Sequence, residues 1–114
     1  MNHQEFAQTW INVWNSHDLE DILSHYSDDI EITTPMIVMA TGGRESSLKG
    51  KDAVREYWRK ALNKFPDLYF DLIHSTAGVN SVALFYKSIM DKRAVEVMFF
   101  DEEGKINRMY AHYD

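Results

Sequence analysis

The chain has no cysteine. Neither a disulfide framework nor a thiolate zinc site can be built from it, and a reducing interior compartment, the cytoplasm, is the expected setting. It also lacks any apolar run approaching the ~18 residues a spanning helix needs, so no membrane crossing is expected. Its start, MNHQEFAQTW, shows no basic stretch followed by an apolar core, so secretion is not expected either. Basic residues are few, twelve Lys plus Arg against eighteen Asp plus Glu, and they do not cluster. The net charge of −6 repels phosphate backbones and anionic lipid, which argues against nucleic acid or a membrane as partner. None of the five histidines stands in an H-x-H or H-E-x-x-H pattern, nor at ligand spacing from an acid, so no metal is expected. The paired glycines of TGGRESS lack the Lys-Ser/Thr end of a phosphate loop.

What remains is a chain of 114 residues, 45% hydrophobic, which suits one domain over residues 1–114 with a single core. Aromatics make up 13%, three of them Trp, enough to wall an apolar ligand or simply to fill that core.

Phe6, Trp10, Val13 and Trp14 fall on one side of a helix running from about residue 4 to 16. Asp18 can cap a short second helix, on which Leu19, Ile22, Leu23 and Tyr26 share a face. Ile30 and Ile32 alternate with polar residues in a brief strand that Pro35 stops near Thr34. From Met36 to Leu48 the glycines and small polar residues predict a mobile surface loop, a lid over any site beneath it. Val54, Tyr57, Trp58, Ala61, Leu62 and Phe65 repeat at helical spacing up to Pro66. The period then changes to two, and turns at AGVN, MDKR and DEEG divide the remainder into four strands. Helices first and antiparallel strands afterwards predict an α+β fold, with three helices on one face of a curved, mostly antiparallel sheet.

In RAVEVMFFDEEG one acid, Glu96, stands inside a run of apolar residues. Val95, Val97 and Phe99 share one strand face, and Ala94, Glu96, Met98 and Phe100 the other. Both faces are apolar apart from Glu96. Helices can cover only one of them, so a second copy is expected on the outer face, giving a homodimer packed sheet to sheet.

Two helices ending HYSDDIEITTP, then LKGKDAVREYW, then a meander ending VMFFDEEGKINRMYAHYD resemble the nuclear transport factor 2-like superfamily across nearly the whole chain. The polyketide cyclase (SnoaL-like) and ketosteroid isomerase-like branches are the most similar. The resemblance implies a cone-shaped fold that hosts isomerases, cyclases, hydrolases and plain binding domains, with no cofactor. It puts the isomerase's neutral hydrogen-bonding acid on Glu96, its oxyanion tyrosine on Trp10, and supporting tyrosines on Tyr26 and Trp58. Wall positions of the last strand fall on Met109, Ala111 and Tyr113. The family's general base, an Asp before Pro, falls on Thr34. A threonine hydroxyl cannot hold a proton near neutral pH as a carboxylate does, which argues against steroid isomerisation by the family route.

A carboxyl in a dry hollow stays protonated and can polarise a carbonyl oxygen, which is the role expected of Glu96; the structural alternative is a bond to a tyrosine or exposure at a barrel mouth. Tyr26 is either a satisfied core residue or a partner of Glu96 in a network. His74 alternates with Phe70 and Leu72, so it is either an inward substitute for the missing base or a satisfied sheet residue. Trp14, Leu62, Phe70 and Met98 complete the expected wall, although Trp14 equally suits simple core packing. The expectation is thus an isomerase- or cyclase-type acid–base enzyme for a small apolar or carbonyl-bearing molecule. The alternative is a non-catalytic ligand-binding or dimeric association domain.

Overall fold

The computed structural model describes residues 2–114. Helix α1 (His3–Asn15) is closed at its start by Asn2, whose side chain accepts from the Glu5 N–H at 2.8 Å. Its buried stripe is Ala7, Trp10, Ile11 and Trp14. Asp18 caps α2 (Leu19–Ser24) by accepting from the Asp21 N–H at 3.1 Å, and Ile22 and Leu23 are buried under it. The helix stops at Ser24, so Tyr26 is not its last turn. Instead Tyr26 opens strand β1 (Tyr26–Thr33), which is longer than the strand expected around Ile30 and Ile32.

The segment after β1 also departs from expectation. Pro35 does end the strand, but it does so by starting a helix. Thr34 Oγ1 accepts from the Met36 N–H at 3.2 Å, and Pro35 takes the first helical position of α3 (Pro35–Ala40), where its missing N–H costs nothing. Beyond the glycines the chain returns as β2 (Ser47–Lys49), antiparallel to β1. Gly50, at φ +93°, then turns into α4 (Lys51–Lys64) while its N–H holds the Ile30 carbonyl at 2.8 Å.

Four strands follow, β3 (Asp71–Gly78), β4 (Ser81–Lys87), β5 (Arg93–Phe100) and β6 (Ile106–Tyr113), each antiparallel to the next. β6 then pairs in parallel with β1, giving a six-stranded sheet of order β2-β1-β6-β5-β4-β3. The fold is α+β, with the helices packed on one face of a mostly antiparallel sheet; the short α3 joins the three helices expected. Gly104, at φ +79°, closes the β5–β6 turn at DEEG by donating to the Asp101 carbonyl at 3.1 Å, and the ladder slips by a bulge between Phe99 and Phe100.

Along β5 the alternation is clean: Ala94, Glu96 and Met98 are buried, while Arg93 and Val95 are exposed. The covered face therefore carries the acid. At the β4–β5 turn Met90 and Asp91 both take positive φ, 57° and 56°, with Ser88 N–H and Lys92 N–H bonding the Lys92 and Ile89 carbonyls at 2.7 and 3.1 Å. Two left-handed residues in succession favour Asn-Gly, and Met is a strained occupant. Among the described residues no helix is long and apolar enough to cross a membrane.

Candidate functional site

Between α1, α4 and the covered face of the sheet lies a cavity of about 110 Å³. α1 contributes Trp10 and Trp14, α4 contributes Tyr57, Trp58 and Ala61, and the strands contribute Tyr86, Glu96, Met109, Ala111 and Tyr113. Phe70, just before β3, and Thr34 with Met36, where β1 passes into α3, line further sides. Each strand residue points here for the same reason: alternate positions of a strand share one face, and this is the face the helices cover.

Glu96 is the single carboxylate on this wall, and it is 4% exposed. In the ladder it stands between Leu84 and Ala111, neither of which offers a side-chain partner. Its partner comes from a diagonal neighbour. Tyr86, two residues past Leu84, donates its hydroxyl to Oε1 at 2.8 Å. Burial raises the carboxyl from 4.5 to about 7, and the Tyr86 hydrogen bond holds it from rising further. Burial thus brings the acid toward the physiological range, far above an ordinary glutamate. One oxygen is committed to Tyr86, and the other has no hydrogen-bond partner among the described residues.

The neighbouring phenols do not compete for this titration. Burial, reinforced by the Glu96 charge, pushes Tyr86 and Tyr113 far above the ordinary tyrosine value, and burial alone lifts Tyr57 to about 12. All three remain donors at physiological pH. Aromatic packing holds the constellation: the Trp10 ring stacks on Phe70 at 5.7 Å, and Phe70 packs on Tyr86 at 4.7 Å. Trp58 meets Trp14 edge-on at 4.9 Å.

Of the residues the sequence nominated, the fold brings Glu96, Trp10, Trp14, Thr34, Trp58, Phe70, Met109 and Tyr113 together around the cavity. Tyr26 lies behind the wall, fully buried, with its hydroxyl accepting from Trp10 Nε1 at 3.0 Å. It supports Trp10 and does not bond Glu96. Trp14 Nε1, in contrast, is buried with no hydrogen-bond partner. Leu62 is buried in the core one turn past Trp58, while Ala61 and Phe65 take the wall at that level. Met98 is also core: two residues beyond Glu96, it sits ~7 Å further along the strand and past the cavity.

His74 is exposed and takes no part in the cavity. Leu72 pairs with Tyr86 but His74 pairs with Phe85, so Ile73 is an extra residue, and the bulge reverses the alternation. Ser75 is therefore the buried residue of this stretch, bonded to His3 Nδ1 at 2.9 Å. Thr34 does line the cavity, yet its hydroxyl is engaged in capping α3. Tyr86 is the residue that sequence reasoning missed. Val82, Leu84 and Tyr86 alternate inward along SVALFYK, and the short turn before β5 brings Tyr86 diagonally opposite Glu96. Among the described residues no three His, Asp or Glu side chains gather as a metal site.

A model of the SnoaL-like domain family matches residues 7–109. Among solved structures, a SnoaL-like protein of unknown function from Burkholderia thailandensis is 44% identical and superposes with a TM-score of 0.92, covering 98% of this chain and 94% of its own. A SnoaL-like family protein from Agrobacterium tumefaciens, provisionally named an isomerase, is 19% identical with a TM-score of 0.77, over 98% of this chain and 97% of that one. SalBIII, an epoxide hydrolase/cyclase-like enzyme in pyran ring formation of the polyether salinomycin, is 20% identical with a TM-score of 0.74, over 97% and 89%. The last two likenesses speak to fold alone. Comparison with curated proteins yields no match.

Proposed function

Because the chain belongs to the SnoaL-like domain family of the nuclear transport factor 2-like superfamily, we propose that it is a small-molecule pocket protein with cofactor-free acid–base chemistry of the isomerase or cyclase type. Its substrate is a largely apolar molecule with a carbonyl group. The observation that carries this reading is Glu96: a lone carboxyl in an aromatic cavity, bonded at one oxygen by Tyr86 and pushed up by burial to about 7. In its charged form the free oxygen takes a proton from the carbon beside the ligand carbonyl, and the electron pair left behind moves onto the carbonyl oxygen as an enolate. The neutral carboxyl so formed donates to that enolate oxygen and then returns the proton to carbon, which regenerates the carboxylate. One group can therefore serve both halves of a proton transfer in sequence. Trp10 and Tyr86 position it, Tyr26 supports Trp10, and His74 has no place in this scheme.

A second reading, a non-catalytic binding domain, draws on Thr34, whose hydroxyl caps a helix where the family places a base. Acetophenone separates the two. Trp10, Trp14 and Trp58 line the cavity, so binding registers as quenching of their fluorescence. Glu96→Gln is expected to weaken it about tenfold, the value of a hydrogen bond to a buried acid. Exchange of the acetophenone methyl protons for deuterium in heavy water, followed by proton NMR, then reports catalysis. Binding without exchange favours the plain binder, and unchanged affinity in Glu96→Gln removes Glu96 from the site altogether.

The homodimer belongs to this proposal too. Ile73, Val95 and Tyr110 are exposed large apolar residues of the sheet, and Arg108 lies 4.6 Å over the Phe99 ring on the face the helices leave open. That surface suits a second copy of the chain.

A further inference from the structure

The inner cavity is small. At about 110 Å³ it falls short of the ~150 Å³ that accommodates a benzene ring in an apolar core, and well short of the few hundred cubic ångströms usual for a ligand site. One of its walls is shared with a neighbouring space, however. Phe65, Leu68, Ser88 and Ile89 line it and also line a second hollow of about 360 Å³, which opens to solvent between the α4–β3 connection and the β4–β5 turn. Those four residues are the boundary the two spaces share. Together the two spaces reach the size of an ordinary small-ligand site.

The outer hollow has its own character. Tyr69 and Met90, 68% and 59% exposed, are large apolar side chains left in water on its two banks. Lys64, Asp67 and Asp91 stand with them among its lining residues, so charge is available beside the apolar surface. Met90 also holds the left-handed backbone at φ 57°, which Asn or Gly would occupy with less strain. Retained strain of this kind clusters where a side chain clamps a ligand.

We propose that the two hollows form one site for an elongated ligand, with a carbonyl-bearing head of a few atoms beside Glu96 and an apolar body running out as a tail to lie between Tyr69 and Met90. This rests on the reading of Glu96 as the ligand-facing group, and it adds the shape of the substrate class. The Phe65, Leu68, Ser88 and Ile89 collar is where head passes into tail, so substitutions there alter which head groups enter. Those on the banks alter which tails are held.

Acetophenone, 4′-butylacetophenone and 4′-hexylacetophenone serve as probes, with dissociation constants read by tryptophan quenching on the intact protein. Affinity is expected to rise by roughly tenfold or more from the first to the last, less than full burial of six methylene groups would give because the groove is open on one side. The Tyr69→Ser/Met90→Ser double variant should shrink that ratio to about threefold or less, whereas Val79→Ser, another exposed apolar residue but outside both hollows, should preserve it. Glu96→Gln should weaken all three probes by a common factor and keep the ratio. A flat series in the wild type, with Glu96→Gln still weakening acetophenone, overturns the elongated site and leaves the Glu96 reading standing. A ratio that survives the double variant overturns it as well, since the tail then lies elsewhere. Absence of any probe binding takes down both.

Discussion

The Tyr86 hydroxyl donates to Oε1 of Glu96 at 2.8 Å, from one strand to the next and two residues out of register. This bond favours the charged carboxyl, against a burial that favours the neutral one. Removing it in Tyr86→Phe leaves burial unopposed, so the Glu96 midpoint is expected to climb above 7, by up to about one unit. The buried oxygen also loses its partner, at about 1–3 kcal/mol of stability. Carbon NMR of the labelled glutamate carboxyls across pH 5–9 reads the shift directly. A midpoint that falls, or stays where it was, contradicts this balance between burial and the hydrogen bond.

Glu96 also ties stability to pH. Its carboxyl is raised in the folded chain, from 4.5 to about 7, so the native state holds a proton over this window that the unfolded state has lost. Its contribution is complete below pH 4.5 and declines as pH rises through 7. The full excursion is on the order of 3 kcal/mol. Glu96→Gln lacks the titrating proton and should flatten this part of the curve. Urea melts of both proteins at pH 5 and pH 8 test it: the wild type should lose more stability between the two than the variant does. Equal losses would mean that the carboxyl is hydrated and titrates like any free glutamate.

Much of this arrangement was legible in the chain, and the exceptions share a cause. Helical spacing from Val54 to Phe65 fixes α4 because each fourth residue must meet the sheet, and strand alternation puts Glu96 on the covered face for the same reason. Periodicity fails wherever one residue is inserted or one cap decides. The extra Ile73 turns His74 outward, which alternation counted from Phe70 cannot foresee. Thr34 reads as the end of a strand because Pro35 follows it, yet its hydroxyl also caps α3, which that same Pro35 opens. Tyr86 could be placed inward by alternation alone, but its meeting with Glu96 depends on register, which the β4–β5 turn sets.

If the outer face joins two copies, charge placed there should separate them. Val95 and Tyr110 stand on adjacent strands, with Val97 opposite Tyr110 in the ladder. Val95→Lys/Tyr110→Lys would place four ammonium groups in the seam, with no acid among the residues named there. Sedimentation velocity at micromolar concentration is expected to give a dimer for the wild type and a monomer for the variant, with unchanged circular dichroism because both side chains are already partly in water. A wild type that sediments as a monomer would refute the dimer.

The β4–β5 turn offers the sharpest test of where strain is stored. Met90 and Asp91 both hold positive φ, but the two are not equally uncomfortable: Asp visits the left-handed region readily, and an unbranched apolar side chain does so seldom. Met90→Asn should therefore stabilise the fold by about 1 kcal/mol. Asp91→Gly should change little, because relief of a small strain is offset by the roughly 0.5–1 kcal/mol of extra chain entropy that glycine loses on folding. The exposed Lys87–Asp91 pair, at 3.2 Å, adds only slightly to that loss. Urea midpoints of the two single variants order these terms. A Met90→Asn protein that is less stable than the wild type would mean that Met90 packs more than it strains. The gain should also come with a loss, because the side chain that makes the turn costly is the one set on the bank of the groove. A variant that is both more stable and weaker toward the hexyl probe would tie the strain to ligand binding.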